Sequence, residues 1–393
     1  MAINWMTEAQ ALRGEMVARR RDLHKHPELA FQEIRTAGLV AQELNTLGLE
    51  VMTGVGKTGV VGVLEGNLDG PTVMVRFDMD ALPVQEANTT DYISQTDGKM
   101  HACGHDGHTA IGLSVAKLLS AQRDKMAGRV KFVFQPAEEI AQGAQAMIND
   151  GVLTGPAPEV SVGLHLWNDL PIGQVGITDG AAMAGSDTLY ILVKGNGGHA
   201  ALPDQTRDPI VAATMIVSAL QTIPSRNVSA LDSAVVSITQ FHAGYANNVI
   251  PSEARLSGTF RTYSDPTHDF VERRIREIAT TVAAALGCEA EVSFTRDTLP
   301  LYNDPANNAR LRKAFQNLNT RLIWHENIRT MGAEDMATFL RAVPGTFLFV
   351  GSANDERALN FPHHHPRFDF DEDALPIGAG LLAAAVADYV VHE

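Results

Sequence analysis

The sequence is poor in cysteine, in basic residues and in long apolar runs, and each shortage excludes a class of protein. Cys103 and Cys288 are its only cysteines, too few for a disulfide framework. The 31 Lys and Arg residues against 46 Asp and Glu give a formal net charge of −15, which disfavours nucleic acid and anionic membranes as partners. No stretch approaches a membrane span, and the first residues do not have the pattern of a targeting segment. We therefore expect a cytoplasmic protein that acts on a small organic molecule.

The N-terminal part of the chain alternates helical and strand patterns. Thr7 and Gln10 have the spacing of a capping box and predict a helix that continues to about His26. The run "HTAIGLSVAKLLSAQ" has helical spacing as well. Buried parallel strands are predicted by short apolar, β-branched runs at 59–66, 72–78, 129–135 and 160–166. This pattern predicts an α/β fold built on an open, mixed but mostly parallel sheet.

The pattern changes at about Gly185. Between 185 and 295 the predicted elements follow the order β-α-β-β-α-β, which is the ferredoxin-like signature. A chain of 393 residues is also too long for one ordinary core. We therefore predict a catalytic domain formed by 1–184 and 296–393, with a ferredoxin-like α+β domain inserted at 185–295.

Polar side chains follow the predicted strands of the first domain. Asp78 and Asp80 come after one strand, Glu138 and Glu139 after another, and His165 closes a third. Because ligands of open α/β sheets bind outside the carboxyl ends of the strands, these groups should converge on one crevice. The loop "HACGHDGH" lies just past the same edge, and "FPHHHPRFDF" lies at the exit of a later strand.

Thiolate, imidazole and carboxylate groups in this combination suit divalent zinc, manganese, cobalt or nickel. The candidate ligands are Cys103, His105, Glu139, His165 and one histidine of 363–365. Five or six ligands are too many for one tetrahedral zinc, so two metal ions are the better count. Of two adjacent glutamates at a strand exit, one can bind metal while the other faces the water as general base.

Two readings from other classes stay open at this point. Cys103 could be the nucleophile of a cysteine hydrolase, with His105 or His101 as its base. The cluster could also be the closed metal site of a protein without catalytic activity. Glu138 argues against this second alternative, because the candidate metal ligands are complete without it.

Successive motifs of the chain resemble one enzyme family. They are "RRDLHKHPELAFQE", "RFDMDALPVQE", "HACGHDGHTA", "FQPAEE", "GLHLW", "GGHAALPD", "NVIPSEARLSGTFRT" and "HHHPRFDF", in order from about residue 20 to 380. They look like the signatures of the dimetal aminoacylase and carboxypeptidase family, in the amidohydrolase branch that includes hippurate hydrolase, N-acetyl-amino-acid deacetylases and indole-acetyl-amino-acid hydrolases. The resemblance implies a zinc-exopeptidase-like catalytic domain with a dimerising lid, and hence a homodimer or a dimer-based oligomer.

The resemblance also implies a role for individual residues. The resemblance implies that two divalent ions are bound by Cys103, His105, Glu139, His165 and His364. Cys103 would bridge the two ions. Glu138 would be the general base, and Asp80 would orient a ligand. From the inserted domain, His199 would reach across the dimer into the partner's site, while Asn248 and Arg261 would hold the substrate carboxylate. The family usually shows one histidine two positions before a proline, and here His363, His364 and His365 all precede Pro366.

The implied activity is hydrolysis of the amide bond of N-acyl or N-aroyl amino acids, by water that the two metals activate. A dipeptidase or carboxypeptidase of the same family is the nearest alternative. The sequence leaves open which metal is native and which acyl group and amino acid are preferred.

Overall fold

The computed structural model describes residues 3–318 and 320–391. Along the chain the helices are α1 (Trp5–Ala11), α2 (Arg13–Lys25), α3 (Ile34–Thr46), α4 (His105–Ser120), α5 (Gly143–Asn149), α6 (Pro209–Leu220), α7 (Asp265–Ala285), α8 (Pro305–Gln316), α9 (Met336–Ala342) and α10 (Ala374–Val390). The strands are β1 (Glu50–Val55), β2 (Gly59–Glu65), β3 (Leu68–Asp78), β4 (Ala127–Gln135), β5 (Val160–Pro171), β6 (Gln174–Gly176), β7 (Gly180–Met183), β8 (Gly185–Lys194), β9 (Gly198–His199), β10 (Ala234–Ala243), β11 (Val249–Ile250), β12 (Glu253–Thr262), β13 (Glu289–Thr298), β14 (Leu301–Asn303), β15 (Ile323–His325) and β16 (Gly345–Ala353).

The first helix begins earlier than the sequence predicts. Asn4, rather than Thr7, is the N-cap of α1, because its side chain accepts a hydrogen bond from the Thr7 N–H at 3.1 Å. The helix ends at Ala11, and α2 begins after Leu12. The single helix predicted up to about His26 is therefore two helices.

The chain forms two compact units. The first contains Met1–Gly180, Tyr302–Ile328 and Asp335–Glu393, and the second contains Ala181–Leu301 and Arg329–Glu334. The domain boundaries of the sequence analysis and the role of the inserted segment as a lid stay predictions.

The first unit is built on an eight-stranded sheet with the order β1-β2-β4-β3-β5-β16-β6-β15. Its centre, formed by β4, β3, β5 and β16, is parallel. The strands β4, β5 and β16 are almost entirely buried, and so is β3 from Thr72 onwards, which explains why these sequences are continuous apolar runs rather than alternating ones. The prediction of an α/β fold with a large, mostly parallel sheet is confirmed.

One strand direction was predicted wrongly. The run at 59–66 was expected to be parallel to its neighbours, but β2 is antiparallel to β4. The reason is the preceding strand β1, which pairs with β2 as an antiparallel hairpin and so reverses the chain before it enters the sheet. Since β1 is mostly exposed, no buried apolar run in the sequence indicates it.

Two helices of the first unit are almost completely buried. In α4 and α10 nearly every residue lies in the core, where α10 packs on α4 and on the sheet. Small residues allow this close contact: a Cβ atom on Gly112 would lie 2.6 Å from the Phe77 ring, and one on Gly107 would lie 2.7 Å from Leu166. The N-terminal end of α4 therefore lies directly on the strands that carry the polar side chains. Within 3–318 and 320–391, none of the helices combines the length and apolar character needed to cross a bilayer.

The second unit contains an antiparallel sheet with the order β10-β12-β8-β13. The helices α6 and α7 pack on it around a core that includes Leu189, Ile216, Phe260 and Ile275. Along the chain the elements β8, α6, β10, β12, α7 and β13 follow the order β-α-β-β-α-β.

The strand ends of the first unit bring the polar residues to one edge of the sheet. Here β3 ends at Asp78 and β4 ends at Gln135, as the sequence predicts. By contrast, β5 continues through His165 to Pro171, so the prediction that His165 closes its strand is wrong. Pairing of β5 with β3 nevertheless ends at Gly163, so that His165 lies just beyond the shared edge.

Candidate metal centre

The loop before α4 presents Cys103 and His105 at the sheet edge. Between them, Gly104 has φ = +92°, a left-handed conformation that favours glycine, and it forms the N-cap of the helix. The buried His105 donates its Nδ1–H to the Asp80 carbonyl oxygen at 2.9 Å. Its Nε2 is buried and has no hydrogen-bond partner among the described residues. A histidine fixed through one nitrogen with the other unpaired has the usual arrangement of a metal ligand.

The second imidazole at the site is oriented in the same way. His165 donates its Nδ1–H to the Leu166 carbonyl oxygen at 2.6 Å, which directs Nε2 towards Cys103. The distance between Nε2 and the Cys103 Sγ is 3.5 Å. Burial lowers the pKa of His165 well below its ordinary value, so this imidazole is neutral, the form that binds a cation.

The carboxylate of Asp80 fixes the loop that carries the paired glutamates. Its Oδ1 accepts the backbone N–H of Glu138 and its Oδ2 accepts that of Glu139, both at 3.0 Å. The preceding Ala137 has φ = +53°, an unfavourable conformation for a residue with a Cβ atom, and its N–H is held by the buried Glu33 at 3.0 Å. Two buried carboxylates therefore hold this loop in place.

The side chains of both glutamates reach His105. The Glu139 Oε1 lies 3.8 Å from the His105 Nε2, and the Glu138 Oε2 lies 3.9 Å from the same nitrogen. The Glu139 Oε1 is buried, and no hydrogen-bond partner for it is found within the described chain.

Two of the three histidines before Pro366 approach the same cluster. The His364 Nε2 lies 3.3 Å from the Glu139 Oε2, and its backbone, at φ = +67°, donates its N–H to the Ala102 carbonyl oxygen. The His363 Nδ1 lies 3.8 Å from the Cys103 Sγ, while its Nε2 accepts the Asn168 N–H at 3.2 Å.

The third histidine of this segment makes local contacts. The His365 Nδ1 accepts the Arg367 N–H at 3.0 Å, and its ring stacks on Phe361. Motif spacing selects His364, and the structure brings that residue to Glu139.

The donor set fits divalent cations. Ligand atoms lie within 4.8 Å of one another in several overlapping groups, which include Cys103, Glu139 and His364; Cys103, His165 and His363; and His105, Glu138 and Glu139. Thiolate and imidazole donors favour zinc and similar transition metals over magnesium or calcium. The two unpaired, buried atoms, the His105 Nε2 and the Glu139 Oε1, would each be satisfied by a cation.

Carboxylates hold a proton on His105. Burial alone would lower the pKa of this imidazole, but Asp78, Asp80 and Glu139 outweigh burial and raise it to about 10. Burial raises the pKa of Glu139 as well. The pKa of Asp78, which burial would raise, is held well below its ordinary value by His105, His108 and Arg76. The cluster thus carries protons that a cation would displace.

His108 is a structural residue of the site. Its Nε2 accepts the Leu166 N–H at 2.9 Å, so its Nδ1 carries the proton and donates to the Asp78 Oδ1 at 2.6 Å. Both ring nitrogens are therefore in use, and His108 ties the end of β3 to β5. His101 is also buried, and burial lowers its pKa to about 4.

Sequence reasoning gave no role to several buried groups around the site. Glu33 is the last residue of the motif "RRDLHKHPELAFQE", which resembles the family but assigns no role to this glutamate. Asp335 accepts hydrogen bonds from the side chain of Gln135 at 2.6 Å and from the Ala144 N–H at 3.0 Å, behind the glutamate loop. Its position is set by packing between segments about 200 residues apart in the chain, which leaves no local signal.

The remaining predicted site residues lie in the second unit. His199 in β9 pairs with Val249 in β11, and the Ala200 N–H donates to the Asn248 carbonyl oxygen at 3.1 Å. The His199 Nδ1 accepts the Ala201 N–H at 3.0 Å, so the proton is on Nε2. Arg261 in β12 donates to the Met331 carbonyl oxygen at 2.7 Å.

Comparison with known proteins places these observations in one family. The sequence profile of peptidase family M20/M25/M40 matches residues 74–388. The chain is 39% identical over 380 residues to N-acetylcysteine deacetylase of Bacillus subtilis (strain 168), covering 95% of this chain and 96% of that protein. It is 39% identical over 381 residues to IAA-amino acid hydrolase ILR1-like 4 of Arabidopsis thaliana, covering 96% and 86%. The crystal structure of a dinuclear metal-binding M20 peptidase from Bacillus subtilis is similar at a TM-score of 0.84 and 35% identity, covering 96% and 98%.

Proposed function

The chain belongs to peptidase family M20/M25/M40 and is a hydrolase of amide bonds, and we propose that its substrates are N-acyl or N-aroyl amino acids of the hippurate or N-acetyl type. The names of the two relatives, N-acetylcysteine deacetylase and IAA-amino acid hydrolase, support this substrate class. The net charge of −15 and the two cysteines, neither in a disulfide within the described chain, support a small-molecule substrate and a cytoplasmic location.

We propose that two divalent ions, of zinc, manganese, cobalt or nickel, bind to each subunit. Their ligands would be Cys103, His105, Glu139, His165 and His364, with the Cys103 thiolate shared between the two ions. When bound, such a pair of ions activates water and polarises the scissile carbonyl. The unpaired buried Nε2 of His105 and Oε1 of Glu139 support this ligand set.

Glu138 is the general base of the proposed reaction. Its carboxylate takes a proton from the attacking water and later gives it to the leaving amine, as a carboxylate at hydrogen-bond reach of both groups can do. The observation that carries this assignment is the pair of hydrogen bonds that Asp80 accepts from the Glu138 and Glu139 N–H groups, because they fix the two glutamates side by side with both carboxylates next to His105. Asp80 also accepts the Nδ1–H of His105, so a single residue orients the proposed base and two proposed ligands.

The second unit supplies the remaining groups of the proposal. His199 carries its proton on Nε2 and can donate it to the oxyanion, while Asn248 and Arg261 hold the substrate carboxylate. We propose that the inserted segment, for which the sequence predicts the limits 185–295, is a lid and dimerisation domain. In that arrangement His199 acts in the partner's site, and the functional unit is a homodimer.

Hydrolysis assays test the substrate class. Metal-free protein is reconstituted with manganese, zinc, cobalt or nickel, and hippurate, N-acetyl amino acids, indole-acetyl amino acids and dipeptides are compared. The proposal expects the highest kcat/KM for an acyl or aroyl amino acid and complete loss of activity with a chelator. Preference for dipeptides would favour a dipeptidase instead, and activity that survives chelation but not alkylation of Cys103 would favour a cysteine hydrolase.

A mixing experiment tests the role of His199. The inactive variants His199→Ala and Glu138→Gln are combined, so that in a mixed dimer one site carries both defects and the other carries neither. Activity should return towards half of the wild-type value per mixed dimer. Confirmed subunit exchange without recovered activity would contradict action across the dimer.

A further inference from the structure

Arg20 is a fully buried cation in the interior of α2, in a motif to which the proposed mechanism gives no role. Its side chain has no exposed surface. A buried guanidinium is costly unless its charge is paired and its N–H groups are hydrogen-bonded. The groups that pair with Arg20 therefore indicate which part of the structure this buried cation holds in place.

The first partner is next to a proposed metal ligand. The Arg20 Nε donates to the Asp106 Oδ2 at 2.9 Å, and Asp106 directly follows His105 in the first turn of α4. The same oxygen accepts the Nδ1–H of the buried His24 at 2.7 Å, and the Asp106 Oδ1 accepts the Gly107 N–H at 2.8 Å. Asp106 is thereby held on both sides, and with it the position of His105.

The second partner lies beyond the other proposed ligand segment. The Arg20 Nη2 donates to the Asp369 Oδ1 at 2.7 Å, five residues after His364. Asp369 also accepts the Tyr92 hydroxyl at 2.7 Å on Oδ2. Its carbonyl oxygen accepts the Asn168 side-chain amide at 2.8 Å, and that amide also donates to the Phe361 carbonyl oxygen. The segment from Phe361 to Asp369, which carries His364, is thus anchored at both ends.

Aromatic rings complete the enclosure of the guanidinium. The Arg20 Cζ lies 4.4 Å from the centre of the Phe370 ring and 4.8 Å from that of the Tyr92 ring. Such contacts fix the plane of the guanidinium, whose donors have a rigid fork geometry. The separation of Asp106 and Asp369 is therefore set by one planar group.

We propose that Arg20 is a positioning residue that sets the distance between the two ligand segments, the one with Cys103 and His105 and the one with His364. This inference rests on the ligand set of the proposed function. It adds that the N-terminal helix α2, which contributes no ligand, determines how tightly the metals are held.

The test measures metal binding in the full-length protein. Arg20→Lys keeps the charge but offers one ammonium in place of a planar fork, so it cannot hold both carboxylates at their present separation. Metal affinity is measured by competition with a chromophoric chelator, and the absorption bands of the cobalt-loaded protein report the ligand geometry. We expect the affinity to fall about 10–100-fold, as for other groups that orient ligands, and the cobalt bands to change.

Arg21→Met is the matched control. Arg21 holds Glu372, which also accepts the Arg20 Nη1 at 3.4 Å, through two hydrogen bonds at 2.8 and 2.7 Å. It contacts neither Asp106 nor Asp369 through any hydrogen bond found in the described chain. Its variant should keep the wild-type metal affinity within about twofold, even if its melting temperature falls.

Unchanged affinity and cobalt bands in folded Arg20→Lys would overturn the proposal, because a merely structural role lowers only the melting temperature. If Arg20→Lys does not fold, Asp369→Asn carries the same test with a smaller change, and the same two results decide. Wild-type protein that binds both metals but hydrolyses none of the amides would refute the substrate proposal alone. Wild-type protein that binds no metal would overturn both.

Discussion

Substitution of Asp80 by asparagine should weaken metal binding without unfolding the protein. Asp80 accepts the N–H groups of Glu138 and Glu139 on its two carboxylate oxygens, each at 3.0 Å. Asparagine has nearly the same shape but offers a single acceptor oxygen, so one of the two N–H groups would face an NH₂ group. The glutamate loop would lose one hydrogen bond and the charge that strengthens the other.

The size of the effect follows from these two bonds. Hydrogen bonds to a charged group contribute roughly 1.5–3 kcal/mol each, and the neutral bond that remains contributes about 1 kcal/mol, so the loop loses about 2–5 kcal/mol. The left-handed Ala137 opposes the loop conformation by a further 1–2 kcal/mol or so. Because the loop can relax and part of this loss will not reach the ligands, we expect metal affinity to fall about 10–100-fold.

The assay is metal competition on folded protein, with kcat/KM measured at saturating metal. Asp97→Asn is the matched control, since Asp97 is an exposed acid in the same unit. Metal affinity and kcat/KM within twofold of wild type in Asp80→Asn would refute the argument that this carboxylate orients the site.

Two further predictions concern the thiolate and a buried lysine. Cys103→Ala should lose at least one metal per subunit by elemental analysis, because in the proposed site the thiolate would serve both ions, and a variant with two metals and normal turnover would exclude that role. Lys131 is fully buried, its Nζ donates to the Val152 and Thr154 carbonyl oxygens, and burial lowers its pKa from 10.5 to about 8. The native state releases this proton at a lower pH than the unfolded chain does, so the free energy of unfolding should rise with pH between about 8 and 10.5. The reference is Lys131→Met, which lacks this titrating group. Stability curves of the two proteins that run parallel over this pH range would contradict the prediction.

The parts of the site that lie near strand ends could be predicted from the sequence. Asp80 and Glu139 each follow a buried apolar run, and parallel strands bring their carboxyl ends to one edge. His165 reaches the same edge although β5 continues beyond it. In these cases local pattern and topology together were enough.

The groups that hold those residues in place could not be predicted. Arg20 contacts Asp106 and Asp369 across 86 and 349 positions of the chain, and no periodicity connects them. The N-cap at Asn4 and the direction of β2 were missed for a related reason. A single hydrogen bond makes Asn4 the N-cap of α1, and pairing with the exposed strand β1 makes β2 run antiparallel to β4.

Separate substitution of the two adjacent glutamates by glutamine tests the central claim most directly. Glu138→Gln and Glu139→Gln differ by one position on a loop that the same Asp80 fixes. We predict that Glu138→Gln keeps two metals per subunit by elemental analysis while kcat falls at least about 10²–10⁴-fold, as expected when a general base is lost. Glu139→Gln should instead lose metal. A Glu138→Gln protein without metal, or one with metal that turns over at the wild-type rate, would contradict the account.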